Sequence, residues 1–288
     1  MLAAPAYEDG TWQSADGLTL HYRDYAGRDD RPPILCLPGL TRNARDFEPI
    51  ADTFAGEWRV ICVELRGRGE SEYAKDPGSY NPLQYAQDID ALFEQAGLKQ
   101  VVAIGTSLGG IITMLMAGQD ASRFAGVVLN DIGPVIEPDG LERIKDYVGQ
   151  GRSYPTWMHA ARAIKETNGV AFPDYDTQQW LDFTKRVMCL SGNGRITFDY
   201  DMHIADPFDD QPEGVDFDMW PLLKSLSGRP VLALRGELSD LLSAETLAKM
   251  EREVPDLEAV TVPRVGHAPT LAEPIAQQAI AKLLGKIA

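Results

Sequence analysis

The chain has 288 residues, of which 44% are hydrophobic and 24% are charged, and its formal net charge is -16 at pH 7. These proportions are typical of a soluble globular protein with one large core, with or without an inserted lobe. The acidic balance repels phosphate backbones and anionic membranes, so we expect neither nucleic acid nor a membrane as a partner.

The cysteines and the first residues bear on the compartment. Cys36, Cys62 and Cys189 are odd in number and widely spaced, so we do not expect them to bind a metal. Cys36 and Cys62 lie within apolar strand-like runs, which predicts small buried thiols at these two positions. The opening stretch MLAAPAYEDG lacks the basic and apolar regions of a secretory signal. No stretch approaches the roughly 20 apolar residues of a membrane span. We therefore expect a cytoplasmic location. We also expect a monomer or homodimer, with a small-molecule substrate as its partner.

Short apolar runs and helical patterns alternate along most of the chain. TWQSADGLTLHYRDY predicts two strands joined by a turn at Asp16 and Gly17. Further strands are predicted over 33–37, 59–63, 100–105, 125–131, 230–235 and 257–262. Helices are predicted over 43–54, 82–96, 108–117 and 244–253, with a last one from about 273.

This alternation predicts an α/β fold with a mostly parallel central sheet covered by helices on both faces. Ligands of such sheets bind beyond the carboxyl ends of the strands. Residues 134–220 break the alternation and combine helical stretches with turn clusters such as SGNG. We interpret them as an inserted, mainly helical cap, which leaves 1–133 and 221–288 as the core domain.

Ser107 lies in VVAIGTSLGG, where a predicted strand gives way to a predicted helix. A sharp turn between such elements exposes a serine hydroxyl at the edge of the sheet. The same turn brings the residues two before and two after the serine into contact, which explains the glycines at 105 and 109. The pattern predicts a nucleophilic serine, and the alternative is a strand, turn and helix with an incidental serine.

A serine hydroxyl is a weak nucleophile and needs a base. Of the four histidines, only His267 falls in a loop predicted to follow a strand, in VTVPRVGHAPTLAEP. The carboxylate that orients this base should also follow a strand, and PVLALRGELSDLLS offers Glu237 and Asp240. We prefer Asp240, because the turn at Gly236 leaves enough residues to bring its side chain under the imidazole. Asp131, at the end of VVLND, is the alternative carboxylate.

Two backbone N–H groups are candidates for stabilising an oxyanion. Leu108 follows the serine at the start of a helix, and Leu40 follows Gly39 in ILCLPGLTRNARDF. Amides aimed at a developing negative charge contribute about 3–4 kcal/mol apiece to transition-state stabilisation. An ordinary strand-to-helix turn is the alternative reading of the loop around Gly39.

The motifs LPGL, ELRGRGES, GTSLGG and GHAP make almost the whole chain resemble the α/β-hydrolase superfamily with an inserted cap. The resemblance is to its small bacterial esterase, lactonase and C–C hydrolase branch. It implies a catalytic triad of Ser107, Asp240 and His267, with Leu40 and Leu108 as the oxyanion amides.

The chain departs from that family pattern at two positions. Pro38 stands where the family more often has histidine, and Glu64 stands where it often has aspartate. With Pro38, the chain lacks the histidine side chain that would support the oxyanion loop, but the backbone amide of that loop is unaffected. With Glu64, we expect only a structural turn to be altered.

We expect a carboxylesterase-like serine hydrolase that cleaves a small ester or lactone through an acyl-enzyme. The alternative is a C–C bond hydrolase acting on a ring-cleavage-type diketone acid. Acyl transfer to an alcohol or to peroxide, and a non-catalytic ligand receptor, are further alternatives. Arg42, Trp157 and Trp180 are candidate substrate contacts, although surface exposure of Arg42 and packing of the tryptophans within the cap explain them too. No motif suggests a metal or another cofactor, so we expect none.

Overall fold

The computed structural model describes residues 6–209 and 218–287. Its strands, in chain order, are β1 (Tyr7–Gln13), β2 (Thr19–Tyr25), β3 (Ile34–Leu37), β4 (Val60–Glu64), β5 (Val101–Thr106), β6 (Phe124–Asn130), β7 (Ser153–Tyr154), β8 (Met188–Leu190), β9 (Ile196–Phe198), β10 (Val231–Gly236) and β11 (Leu257–Val262). All but β7, β8 and β9 belong to one central sheet.

The α-helices, in chain order, are α1 (Glu48–Phe54), α2 (Pro82–Gln95), α3 (Leu108–Asp120), α4 (Pro138–Tyr147), α5 (Trp157–Asn168), α6 (Thr177–Val187), α7 (Asp206–Asp209), α8 (Trp220–Lys224), α9 (Ala244–Glu253) and α10 (Pro274–Leu284). Short 3-10 helices occupy Ala44–Phe47, Pro77–Ser79, Ala121–Arg123 and Met202–Ala205. No helix of the described residues is long and apolar enough to cross a membrane.

The central sheet has the strand order β1-β2-β4-β3-β5-β6-β10-β11. From β4 to β11 in this order the strands run parallel, whereas β1 and β2 form an antiparallel hairpin that adds to β4. Because parallel strands end at the same edge, the loops after β3, β5, β6, β10 and β11 lie at one side of the sheet. Every residue predicted for the triad and the oxyanion amides lies in those loops or, for Leu108, at the start of the helix that follows β5.

Helices cover both faces of this sheet, as the apolar runs predict. In β3, Leu35 and Leu37 pack in one apolar cluster with residues of α2 and α3. Ile34 and Cys36 face the other way and pack with residues of α1 and α10. Successive side chains of a strand point to opposite faces, so a strand buried on both sides needs the continuous apolar run that the sequence shows. Cys36 is fully buried, as is Cys62 beside it in β4.

The segment predicted as a cap lies between β6 and α8. It contains α4 to α7 and also a small antiparallel sheet with the order β7-β9-β8. The prediction of a mainly helical cap did not include this sheet. The predicted turn at 191–194 joins β8 to β9, and Gly194 takes the left-handed conformation there with φ 77°. Residues 210–217 of the predicted cap fall outside the described residues.

Candidate active site

Ser107 occupies a strained turn between β5 and α3. Its backbone has φ 51° and ψ -114°, a conformation that L-residues rarely adopt and that is concentrated at functional sites. A Cβ built on Gly105 would lie 2.5 Å from the carbonyl oxygen of Gly109, and one on Gly109 would lie 2.0 Å from that of Leu37. Neither position has room for a side chain, so the two glycines are what allow the chain to turn this sharply.

The imidazole of His267 reaches this serine from the loop that follows β11. His267 Nε2 lies 3.0 Å from Ser107 Oγ, and the histidine side chain is 9% exposed. The two residues are 160 positions apart in sequence, and the parallel sheet brings them together. A hydroxyl at this distance from a ring nitrogen is placed to give up its proton during attack.

The carboxylate against His267 belongs to Asp131, so the preference for Asp240 was wrong and the alternative residue takes the position. Asp131 Oδ2 lies 2.8 Å from His267 Nδ1, and its side chain is fully buried. A carboxylate only accepts hydrogen bonds, so this contact assigns the ring proton to Nδ1. His267 Nε2 is then left free to accept the hydroxyl proton of Ser107.

Asp131 is held in place by the loop after β10. Its Oδ1 accepts the N–H of Gly236 at 2.7 Å, and its Oδ2 also accepts the hydroxyl of Ser239 at 2.6 Å. Ser239 Oγ in turn accepts the N–H groups of Leu241 and Leu242. These bonds satisfy the buried carboxylate and fix its direction, which is what a residue that orients a base requires.

Asp240 lies in the same loop, but its carboxylate bonds to Arg143 and not to the imidazole. Its carboxylate forms a bidentate ion pair with Arg143 of α4, and 36% of its side chain is exposed. Burial alone would raise the pKa of Asp240, but the Arg143 guanidinium outweighs this and holds that pKa below its ordinary value. Asp240 thus joins the core to α4.

The two predicted oxyanion amides lie beside the serine. Leu108 is the first residue of α3, so its N–H has no partner within the helix. Leu40 lines the same pocket as Ser107, and a Cβ on the adjacent Gly39 would lie 3.8 Å from the Ser107 Cβ. In the described part of the chain no backbone carbonyl accepts the Leu40 N–H. Both amides therefore remain candidates for stabilising an oxyanion.

Two further buried side chains hold the loops of the site. Asn130 is fully buried, and its Nδ2 donates to Thr106 Oγ1 at 3.1 Å and to the carbonyl of Pro269 at 2.9 Å. Arg68, also fully buried, donates from Nε to the carbonyl of Leu40 at 2.8 Å. Asn130 joins the serine turn to the histidine loop, and Arg68 anchors the oxyanion loop. The signal in the sequence that could have identified Asn130 is a polar residue at the end of the apolar run in VVLND.

A pocket lined by residues of the predicted core and of the predicted cap opens onto Ser107 and His267. Besides these two residues, it is lined by Gly39, Leu40, Thr41, Arg42, Asp46, Thr106, Ile144, Tyr147, Asn168, Phe172, Phe183, Arg186, Ala268, Pro269, Thr270 and Leu271. A neighbouring cavity under the cap shares Thr41, Arg42, Tyr147, Asn168 and Phe183 with it. The pocket thus combines an apolar wall with a few polar side chains, as small-molecule sites commonly do.

Of the predicted substrate contacts, Arg42 lines this pocket and the two tryptophans do not. Trp180 is 2% exposed and packs within a cluster of cap aromatic rings. Trp157 begins α5 and packs against the same apolar cluster. The aromatic rings that line the pocket are those of Tyr147, Phe172 and Phe183. Propensity and composition do not specify which face of a cap helix meets the core. The sequence therefore did not show whether the tryptophans or the phenylalanines of the predicted cap would line the pocket.

Within residues 6–209 and 218–287, no three His, Cys, Asp or Glu side chains are grouped as metal ligands would be. The chemistry that the described side chains support is transfer of a group to a serine oxygen. The elements required are a hydroxyl, a base, an orienting carboxylate and two free amides.

Comparisons with known proteins identify the family of the fold. The sequence profile of the alpha/beta hydrolase fold matches residues 32–274. A 3-hydroxybutyrate-oligomer hydrolase from Cupriavidus necator is 34% identical over 267 residues, 90% of each chain. A 2-(acetamidomethylene)succinate hydrolase from Mesorhizobium japonicum is 27% identical over 251 residues, which cover 87% of this chain and 85% of the relative.

The crystal structure of an alpha/beta hydrolase from Novosphingobium aromaticivorans superposes with a TM-score of 0.95. Its sequence is 57% identical, and the match covers 98% of this chain and 99% of the other. The profile spans most of the chain, and a curated hydrolase shares about a third of its residues over nearly its full length. The chain belongs to the α/β-hydrolase fold family.

Proposed function

We propose that the protein is a serine hydrolase that cleaves a small carboxylic ester through an acyl-enzyme. The observation that carries this proposal is the continuous hydrogen-bonded path from Asp131 through His267 to Ser107, with contacts of 2.8 and 3.0 Å. Such a path delivers a proton from the attacking hydroxyl to the base and stabilises the imidazolium that forms.

In the first half of the proposed reaction, Ser107 Oγ attacks the carbonyl carbon of the ester while His267 Nε2 takes the hydroxyl proton. The carbonyl oxygen becomes an oxyanion that the N–H groups of Leu40 and Leu108 stabilise. The tetrahedral intermediate then collapses, the alcohol leaves with the proton from His267, and the acyl group remains on Ser107. Proton transfer by a positioned base typically contributes 10²- to 10⁴-fold in rate.

In the second half, a water molecule takes the place of the alcohol and His267 removes its proton. Attack on the acyl carbon regenerates the oxyanion, and collapse returns the proton to Ser107 and releases the acid. Asp131 keeps the Nδ1 proton on the imidazole throughout, so the histidine alternates between base and acid without changing its orientation.

The choice of an ester is supported by the relative from Cupriavidus necator, a 3-hydroxybutyrate-oligomer hydrolase. Oligomers of 3-hydroxybutyrate are linear esters, and their bonds present the carbonyl that a serine nucleophile attacks. We therefore favour linear esters of small hydroxy acids over lactones, and over the C–C bond substrates considered from the sequence.

The test is hydrolysis of the 3-hydroxybutyrate dimer and of p-nitrophenyl butyrate by the wild type and by Ser107→Ala. We expect the wild type to cleave both esters and the variant to lose at least about 10³-fold in kcat. Melting temperatures of the two proteins check that both are folded. Cleavage of a diketone acid by a wild type that leaves every ester intact would instead support the C–C hydrolase.

A further inference from the structure

Three charged side chains line the candidate pocket: those of Arg42, Asp46 and Arg186. Arg42 donates to both oxygens of Asp46, from Nε at 2.5 Å and from Nη2 at 2.8 Å, so these two charges offset each other. Arg186 supplies the remaining charge. The pocket therefore carries a net positive charge in a chain whose overall charge is -16.

Among the residues that the structure describes, Arg186 forms hydrogen bonds through its backbone carbonyl, and its guanidinium has no hydrogen-bond partner. In the described parts of the chain no carboxylate lies within ion-pair distance of it, whereas its neighbours in the site, Arg42 and Arg45, are paired with Asp46 and Asp199. The side chain is nevertheless half-buried. Partial burial of a cation without an acidic partner costs free energy, and a bound anion offsets that cost.

The backbone of Arg186 is fixed relative to the catalytic loops. Its carbonyl, in the last turn of α6, accepts from Asn43 Nδ2 and from Arg45 Nε, each at 3.1 Å. Asn43 and Arg45 come directly after the loop that carries Leu40. This end of the cap helix is thus tied to the oxyanion side of the site, and the Arg186 side chain starts from a defined place on the pocket wall.

We propose that Arg186 binds a carboxylate of the substrate, so that the enzyme prefers esters with a free carboxylate to their neutral counterparts. The inference rests on the proposed function and names the substrate class of the same site. A guanidinium offers two parallel N–H donors that match a carboxylate, which fixes both the charge and the orientation of the ligand. Arg42, the anchor considered from the sequence, is occupied by Asp46 and lies 4.6 Å over the Phe183 ring.

The experiment compares two substrates that differ only in charge: the 3-hydroxybutyrate dimer and the same dimer with its carboxylate capped as the primary amide. The measured quantity is the ratio of kcat/KM for the acid to that for the amide. We expect a ratio well above one in the wild type and a fall of about 10- to 100-fold in Arg186→Gln, the range for a lost hydrogen bond to a charged group.

Two control variants separate Arg186 from general effects of charge. Arg162→Gln removes a positive charge from an exposed position of α5 outside the pocket, and the ratio should stay at the wild-type value. Arg42→Gln combined with Asp46→Asn removes both members of the neighbouring pair, and the preference for the acid should persist. A ratio near one in the wild type, or a ratio that Arg186→Gln leaves intact, would overturn the proposal.

A binding measurement keeps this test apart from that of the proposed function. Calorimetric titration of Ser107→Ala with the acid and with the amide needs no turnover. We expect the acid to bind more tightly, and we expect the difference to vanish when Arg186→Gln is added. If the wild type cleaved neither substrate, the ester hydrolase proposal would fail, while this titration would still support or refute the carboxylate site.

Discussion

His267 Nδ1 lies 2.8 Å from Asp131 Oδ2, so the imidazole is held by the carboxylate that follows β6 and not by Asp240, which follows β10. β6 lies directly beside β5, the strand that ends at the serine turn, whereas β10 is one strand farther away. The acidic residue that contacts the base thus follows the strand next to the one that ends at Ser107.

Replacement of each carboxylate by its amide distinguishes the two aspartates. Asp131→Asn should lower kcat by roughly 10⁴-fold, because an amide in place of the acceptor favours the wrong tautomer of His267. Asp240→Asn breaks a half-exposed ion pair with Arg143 and should cost less than about 1 kcal/mol of stability, with kcat close to that of the wild type. Steady-state kinetics on p-nitrophenyl butyrate would refute this assignment if Asp240→Asn were the more damaged variant.

Asn130 should act on catalysis through position alone. Its amide joins Thr106 to the carbonyl of Pro269, so Asn130→Ala frees the histidine loop from the serine turn. We expect kcat to fall by roughly 10- to 100-fold, the effect of a small misplacement of catalytic groups, with a smaller change in KM. The unpaired carbonyl should also cost about 1–3 kcal/mol, measured by urea unfolding. A loss of stability with kcat unchanged would show that Asn130 is only a structural residue.

Gly109→Ala should reverse the usual effect of this substitution in a helix. Alanine is ordinarily favoured over glycine by about 1 kcal/mol inside a helix. At Gly109 the new Cβ would lie 2.0 Å from the carbonyl oxygen of Leu37, so β3 and α3 must separate. We expect a loss of about 1–3 kcal/mol or more in the free energy of unfolding, together with most of the activity.

Gly192→Ala is the matched control for that substitution. No atom lies within 4 Å of a Cβ built there, and we expect both stability and activity to stay near those of the wild type. A Gly109→Ala protein as stable and active as the Gly192→Ala protein would contradict the close packing of the serine turn.

The pH dependence of stability should include a contribution from His21. Burial would lower the pKa of His21, but hydrogen bonds to Glu64 and Asp9 outweigh this and raise it above 6.5. Burial would likewise raise the pKa of Glu64, but its hydrogen bond with His21 opposes this, and the pKa of Glu64 lies below its ordinary value. A raised histidine pKa stabilises the fold fully below about pH 6.5, and this contribution disappears as the pH rises through the folded pKa.

Urea unfolding of the wild type and His21→Gln between pH 6 and pH 9 isolates this contribution. We expect the stability difference in favour of the wild type to shrink as the pH rises. A difference that is constant over the range, or that grows with pH, would show that His21 is not charged in the folded protein at the lower pH.

The core of the fold was largely predictable from the sequence. Each strand predicted from 33–37 onward is present within about one residue of its expected ends. For the strands inside the sheet the reason is that burial on both faces needs an uninterrupted apolar run. Ser107 and His267 were predictable for a related reason, since each follows such a run in a glycine-containing loop. The helix predicted over 43–54 instead begins as a 3-10 turn at Ala44–Phe47 and continues as α1.

The orienting acid and the pocket wall depended on information that a single sequence does not contain. Asp131 and Asp240 both follow apolar strands, and only the folded structure shows that Asp131 contacts His267 while Asp240 pairs with Arg143. In the cap, α6 carries Trp180 toward the interior and Phe183 toward both the interior and the pocket. Which of these aromatic residues meets a substrate depends on how the cap packs on the core, and local patterns do not fix this.

The most direct test of the proposed chemistry is the rate and position of labelling by a fluorophosphonate, mapped by mass spectrometry of the digested protein. The wild type should acquire one adduct, on Ser107, and Asp131→Asn and His267→Ala should acquire it at least roughly 10²-fold more slowly. An unlabelled Ser107 in the folded wild type, or labelling that is equally fast in all three proteins, would contradict a serine activated by His267 and Asp131.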